Sequence, residues 1–194
     1  MVQQGLLTAS RFIGIGTSLG GTAALQLLLP TLPPELSAAV ALVFHRAQGS
    51  DTILVQFLRK YCRLPVEEAQ DKTPIQPGRL YFAPADYHLL VEDDHFALST
   101  EAPISFARPS IDVLFESAAE TYGANAAGVI LSGAGHDGAA GLAAIKRHGG
   151  LAIVQLPASA ESSHMPDAAI ATGLVDKVLP VDEIVAFLAK WQPK

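Results

Sequence analysis

The chain has 194 residues, of which 49% are hydrophobic and only 16% charged, and it carries a formal net charge of −6. That length fits one domain with a substantial core, and the apolar content excludes general disorder. The acidic balance argues against a nucleic-acid binder, which would show a basic face; no basic cluster is longer than Lys146-Arg147-His148.

No apolar run reaches the roughly 18 residues that a membrane span needs. The nearest candidate, over residues 25–36, is broken by Pro30, Pro33 and Pro34. The opening MVQQGLLTASR has neither a basic n-region nor a long apolar h-region, so no signal peptide is expected. Cys62 is the single cysteine, which leaves no disulfide framework and no thiolate metal site. These features together predict a cytoplasmic protein without membrane insertion.

Residues 1–10 read as an N-terminal extension, and the first periodic element follows it. The apolar run RFIGIG feeds into Gly16-Thr17-Ser18-Leu19-Gly20-Gly21, and a helical run over 22–29 comes at once. Strand, tight turn and helix are expected there, with Ser18 in the turn. Two jobs suit such a turn. It can present a nucleophile, since Gly16 to Gly20 fits G-x-S-x-G, or it can hold a phosphate at a helix N-terminus. Serine in a turn also serves simply as a helix cap.

A second strand, Ala38–Phe44, is apolar throughout, as a strand buried on both faces would be. His45 ends it. A helix is expected over 52–61, starting from Ser50-Asp51, with Ile53, Leu54, Phe57 and Leu58 at helical spacing. The middle of the chain changes character. Residues 64–68 read as a short extended run, Pro77-Gly78 as a turn and RLYFAP as a strand. YHLLVEDDHFALST reads as an antiparallel hairpin closed at Glu92-Asp93-Asp94.

Alternation then resumes. Ser110 is the expected N-cap of a helix running to Tyr122, with Ile111, Leu114, Phe115 and Ala118 on one face. AAGVIL is a strand, SGAGHDG a glycine-rich turn, and AAGLAAIKRHG a helix ended by Gly149-Gly150. LAIVQ is the next strand. A loop containing SSHMP leads to a short helix over 167–172, a last strand over 175–179 and an amphipathic helix over 182–191. This rhythm predicts one α/β domain: a doubly wound, mostly parallel sheet flanked by helices, with a small antiparallel excursion.

In such folds ligands sit beyond the carboxyl ends of the strands, near a switch in strand order. Ser18, His45 and Asp137 stand at such ends, and they are the residue types of an acyl-transfer triad. Each has a plainer explanation. Asp137 precedes GAAGLAAI and would make a good helix cap, which its spacing alone favours. His45 competes with His88, His95, His136, His148 and His164; it is preferred because its strand should lie beside the first. A dinucleotide site is disfavoured, because Gly20 falls one residue late for G-x-G-x-x-G and no acidic residue ends the second strand. A P-loop lacks its Gly-Lys-Ser/Thr. The order Ser, His, Asp also departs from the α/β-hydrolases.

Four ordered segments resemble the catalytic domain of the chemotaxis protein-glutamate methylesterases, the CheB family. They are Gly16-Thr17-Ser18-Leu19-Gly20-Gly21, the YFAPADYH stretch ending at His88, RPSIDVLF from Arg108 to Phe115, and LSGAGHDGAAG from Leu131 to Gly141. The resemblance runs across nearly the whole chain and implies a catalytic domain over 11–194. It implies Ser18 as nucleophile, His45 as imidazole and Asp137 as carboxylate, with no metal and no cofactor. It also implies hydrolysis of glutamate γ-methyl esters on the cytoplasmic domain of methylated chemoreceptors, with glutamine deamidation as a companion reaction. A separate or fused receiver or methyltransferase domain is the implied partner. Backbone groups at Leu19 and Ala134 are implied for the oxyanion, and Arg108 for substrate contact.

Several positions depart from the family pattern. Phe44-His45-Arg46-Ala47 replaces Q-H-M-P, and His164-Met165-Pro166 stands where G-M-P is usual. Leu19 replaces a hydroxyl residue and Ala134 a methionine, changes that bear on substrate fit. The receiver domain that usually precedes this domain has no motif upstream of Ser18. The alternatives are a related esterase in a signalling system other than chemotaxis, or a catalytically quiet interaction module.

Overall fold

The computed structural model describes residues 9–45 and 51–191. Expectations that concern residues 1–8, Arg46, Ala47 or Ser50 lie outside the described residues. In chain order the elements are β1 (Arg11–Thr17), α1 (Gly21–Leu28), β2 (Ala38–Phe44), α2 (Asp51–Tyr61), β3 (Val66–Glu68), β4 (Leu80–Phe82), β5 (His88–Val91) and β6 (Phe96–Ser99). They continue with α3 (Ile111–Tyr122), β7 (Ala126–Ile130), α4 (Ala139–Arg147), β8 (Leu151–Gln155), α5 (His164–Ala171), β9 (Lys177–Leu179) and α6 (Val181–Lys190).

Seven strands form one sheet in the order β3-β4-β2-β1-β7-β8-β9, and every neighbouring pair is parallel. The antiparallel excursion is the hairpin expected from YHLLVEDDHFALST, with β5 and β6 as its strands, while the extended run at 66–68 and the strand at 80–82 join the main sheet at its edge. Two boundaries also differ: α5 begins at His164 rather than at 167, and β9 is confined to Lys177–Leu179.

The chain leaves central β1 toward β2 on one side and later returns to β7 on the other. The reversal of strand order therefore lies between β1 and β7, where a doubly wound sheet opens its crevice. One core cluster gathers α3, α4 and α5 on one face of the sheet, and the other gathers α1, α2 and α6 on the opposite face. Ile13 and Ile15 of β1 belong to the second. On the first face β1 presents Phe12 and then two glycines, Gly14 and Gly16.

Those glycines let α3 approach bare backbone. A Cβ on Gly14 would lie 2.7 Å from the Phe115 ring, and one on Gly16 would lie 2.4 Å from Ile111. Gly141 does the same between helices, because its Cβ would stand 2.8 Å from the Asp112 carbonyl oxygen. The N-terminal turns of α3 and α4 are thus pressed together.

Each of these helices is capped by the other. Asp137, in the turn before α4, accepts hydrogen bonds from the Ile111 N–H at 2.7 Å and the Asp112 N–H at 3.1 Å, both in the first turn of α3. Asp112, in that first turn, accepts from the Gly141 N–H of α4 at 2.7 Å. The expected caps are corrected accordingly. Asp137 caps a helix, but α3 rather than α4, whose own N-cap position is Gly138 in the left-handed region at φ 95°. Ser110 holds the N-cap position of α3 but makes no side-chain cap there. Its hydroxyl donates to Asp137 at 2.7 Å instead. A carboxylate accepts from two backbone donors at once, which a single hydroxyl does less well.

The two carboxylates settle differently. Burial pushes the Asp112 carboxyl up to about 6, and the negative charge of Asp137 adds to that rise. Burial would raise Asp137 as well, but the hydrogen bonds it accepts outweigh burial and hold it below its ordinary value.

Two outcomes follow from this packing. Gly141→Ala drives a methyl group into the Asp112 backbone and should cost about 1–3 kcal/mol in urea denaturation. Asp112 binds its proton more tightly folded than unfolded, so wild-type stability falls as pH rises from its unfolded value of 3.8 through about 6. Asp112→Asn has no such titration. Its stability relative to wild type should therefore climb across that window and level off above it, as thermal melts at successive pH values would show.

Candidate active site

The turn after β1 sets Ser18 at the carboxyl edge of the sheet. The Gly21 N–H bonds the Ser18 carbonyl at 2.9 Å, and Gly20, at φ 78°, takes the N-cap position of α1. Ser18 is thus not the helix cap. Its N–H donates to the Ser132 carbonyl at 3.0 Å, which ties the turn to the loop after β7. Ser18 is half-buried and Leu19 is exposed.

His45 follows β2, whose Phe44 is in register with Thr17 of β1. Ser18 and His45 therefore occupy the next positions beyond two neighbouring parallel strands. The His45 N–H extends the ladder to the Thr17 carbonyl at 3.0 Å. Its imidazole Nε2 lies 2.8 Å from Asp137 Oδ2. That contact leaves Nδ1 as the ring nitrogen without a hydrogen-bond partner among the described residues. An imidazole held on a carboxylate this way is fixed in tautomer and orientation, and its cationic form is stabilised.

Asp137 is buried, with only 3% of its surface exposed. Of its hydrogen-bond partners, His45 lowers its proton affinity most, followed by the Ile111 and Asp112 N–H groups and the Ser110 hydroxyl. Capping a helix and orienting an imidazole looked like competing roles in the sequence. One carboxylate does both, because its two oxygens and several lone pairs serve different donors.

The other histidines are accounted for by different partners. His88 Nε2 lies 3.1 Å from the Ala102 carbonyl, while its Nδ1 accepts the Ser110 N–H. His95 pairs with Asp94 near the hairpin turn, His148 bonds the Ala144 carbonyl, and His164 contacts the Ser162 hydroxyl. His136, next to Asp137 in sequence, faces Ser105 at 3.2 Å. His45 alone among them meets a buried carboxylate.

A second layer was invisible to sequence reasoning. The Ser132 hydroxyl donates to the Leu19 carbonyl at 2.8 Å and accepts the Ser162 N–H at 3.0 Å. The Ser132 N–H in turn donates to Gln155 Oε1 at 2.8 Å. Three loops beyond β1, β7 and β8 are stapled at this one residue. Ser132 lies in the LSG segment and Ser110 and Asp112 in RPSID, so these segments hold more than the triad-type residue they first offered.

The N–H groups of Leu19 and Ala134 have no hydrogen-bond partner among the described residues. Arg108 Nη1 clasps the carbonyls of Thr100 and Glu101 at 3.0 and 3.1 Å, so the guanidinium anchors the segment before it rather than the helix after it. Its Nε is buried and unpartnered. Arg108 and His45 share the lining of a cavity of about 210 Å³. No cluster of three or more His, Cys, Asp or Glu among the described residues is arranged to hold a metal ion.

The family model described as CheB methylesterase matches residues 13–188. A putative protein-glutamate methylesterase/protein-glutamine glutaminase of Leptospira interrogans is 46% identical over 173 residues, which cover 89% of this chain and 90% of that protein. A protein-glutamate methylesterase/protein-glutamine glutaminase of Anaeromyxobacter dehalogenans is 44% identical over 88% of this chain, which spans only 50% of that longer protein. The crystal structure of the Thermotoga maritima CheB methylesterase catalytic domain superposes with a TM-score of 0.89 at 33% identity, covering 92% of this chain and 96% of that one. Sheet order, site geometry and these likenesses agree, and the chain belongs to the CheB methylesterase family.

Proposed function

We propose that this protein hydrolyses glutamate γ-methyl esters on methyl-accepting chemoreceptors, releasing methanol, and that it deamidates receptor glutamines by the same route. The observation that carries this reading is the His45–Asp137 pair, at 2.8 Å, beside Ser18 on the neighbouring strand. Its setting in a family whose members are named for these reactions supplies the substrate class.

In the proposed mechanism Ser18 Oγ attacks the ester carbonyl carbon while His45 Nδ1 takes its proton. The oxyanion is held by the N–H groups of Leu19 and Ala134. The Ser18 N–H is already committed to Ser132 and is not counted. Losing one such donor typically costs roughly 10²–10³ in rate. Collapse of the tetrahedral intermediate breaks the bond to the methoxy oxygen, which leaves as methanol with the proton from His45. A water then attacks the acyl-enzyme, giving its proton to His45, and Ser18 Oγ recovers that proton as the glutamic acid side chain departs and ionises by releasing a proton to solvent. With glutamine the first leaving group is ammonia. Asp137 keeps the imidazole in register throughout. Arg108, which lines the cavity with His45, is the proposed substrate-contact residue.

A receiver domain, separate or fused, is the regulator this reading expects, and a receptor substrate places the reaction in the cytoplasm. Leu19 is the feature that would favour a second reading, the same chemistry on another signalling protein, because it puts an exposed apolar side chain beside the nucleophile.

Methanol release from a methylated receptor fragment tests the assignment. Ser18→Ala and His45→Ala should each lower the rate by about 10³-fold or more. His164→Ala should stay near wild type, since its ring contacts only the Ser162 hydroxyl. Equal release by wild type and Ser18→Ala would sink the proposal.

A further inference from the structure

At the tip of the loop between β6 and α3, Phe106 is fully exposed, at 103% of its reference surface. It sits in a two-residue turn, closed by the Ile104 N–H to the Ala107 carbonyl at 3.1 Å and by the Ala107 N–H to the Ile104 carbonyl at 2.8 Å. Both central residues have positive φ, 50° for Ser105 and 63° for Phe106. Turns of this kind normally take Asn-Gly or Gly-Gly there. A bulky aromatic in the left-handed region is uncommon, and here its ring is fully exposed.

The turn is also held in place. Ser105 Oγ lies 3.2 Å from His136 Nε2, next to Asp137 in the chain, and Arg108 clasps the two carbonyls upstream. Ser105, Phe106 and Arg108 line the cavity of about 210 Å³ together with His45. An exposed ring is therefore fixed, on a braced turn, at the lip of the cavity that His45 lines.

Resting on the functional reading above, we infer that Phe106 is a docking anchor for the receptor segment that carries the methylated glutamate. A cavity of about 210 Å³ takes a side chain and leaves the substrate's backbone outside, on the rim. Exposed apolar side chains stand at Leu19, next to Ser18 in the chain, and at Phe106, which lines the cavity with His45. An exposed ring on that rim calls for an apolar side chain on the substrate near the glutamate.

Phe106→Gly is the informative variant, since glycine adopts the turn's positive φ freely and only the ring is lost. It should retain wild-type thermal stability and hydrolyse the γ-methyl ester of an acetylated, amidated glutamate at a rate within about twofold of wild type. On a methylated receptor fragment its kcat/KM should fall about tenfold or more, through KM. Phe106→Tyr should recover most of that loss. In a Ser18→Ala background, the same glycine substitution should weaken binding of the fragment to a similar degree. Unchanged receptor turnover and binding would overturn the anchor while leaving the esterase reading intact. Equal losses on the small ester and the receptor would overturn it too, as would a change in oligomeric state, which would assign the ring to a second copy of the chain. If the protein binds the fragment through Phe106 but releases no methanol, the anchor stands and the esterase reading falls. If the wild type neither binds nor demethylates the fragment, both fall.

Discussion

The structure depends on where one buried carboxylate finds its donors. Asp137 accepts from the Ser110 hydroxyl, the Ile111 and Asp112 N–H groups and the His45 imidazole. An isolated carboxylate at 3% exposure would be costly enough to take up a proton. With these donors it stays ionised, and its charge is then available to a histidine. Fold and chemistry therefore use the same group. The positive end of the α3 dipole and the His45 ring N–H both meet this carboxylate.

That arrangement constrains the packing around it. For the first turn of α3 to reach Asp137, the helix must lie low on the sheet, and Gly14 and Gly16 supply the space. For Asp112 to return a cap to α4, the two helices must meet at backbone distance, and Gly141 permits it. Asp112 bears the cost. Its carboxyl rises to about 6 because it is buried and close to a second negative charge. A structure selected for stability alone would avoid two carboxylates so near each other. This one tolerates the pair because the reciprocal caps fix the turn that presents Asp137.

Much of this was legible in the sequence, and the limits have physical causes. Alternating apolar strands and helices gave the parallel sheet, and the strand-end rule picked out Ser18, His45 and Asp137 before any geometry was known. Ladder partners were harder. Nothing local in residues 66–68 distinguishes an edge strand of the main sheet from part of a hairpin, because pairing is decided by tertiary contacts. The caps misled for a related reason. Asp137 and Ser110 each stand just ahead of a helix in the chain, and sequence reasoning assigns a cap to its own helix. The structure exchanges them across space. Ser132 and Gln155 carried no signal, since a buried serine bridging loops looks the same in sequence as any small turn residue.

The division of labour between interior and rim explains where this chain departs from its family's pattern. Behind the carboxyl edge of the sheet two groups tie the loops together: Ser132 joins three loops, Asp137 joins a helix to an imidazole, and a substitution of either would orphan a partner in a dry site. Leu19 and Ala134 stand elsewhere in this scheme. Their backbone N–H groups have no partner among the described residues, and a backbone donor survives a change of side chain. A departure from the family pattern at either position therefore alters the side chain that a substrate meets and leaves the N–H in place.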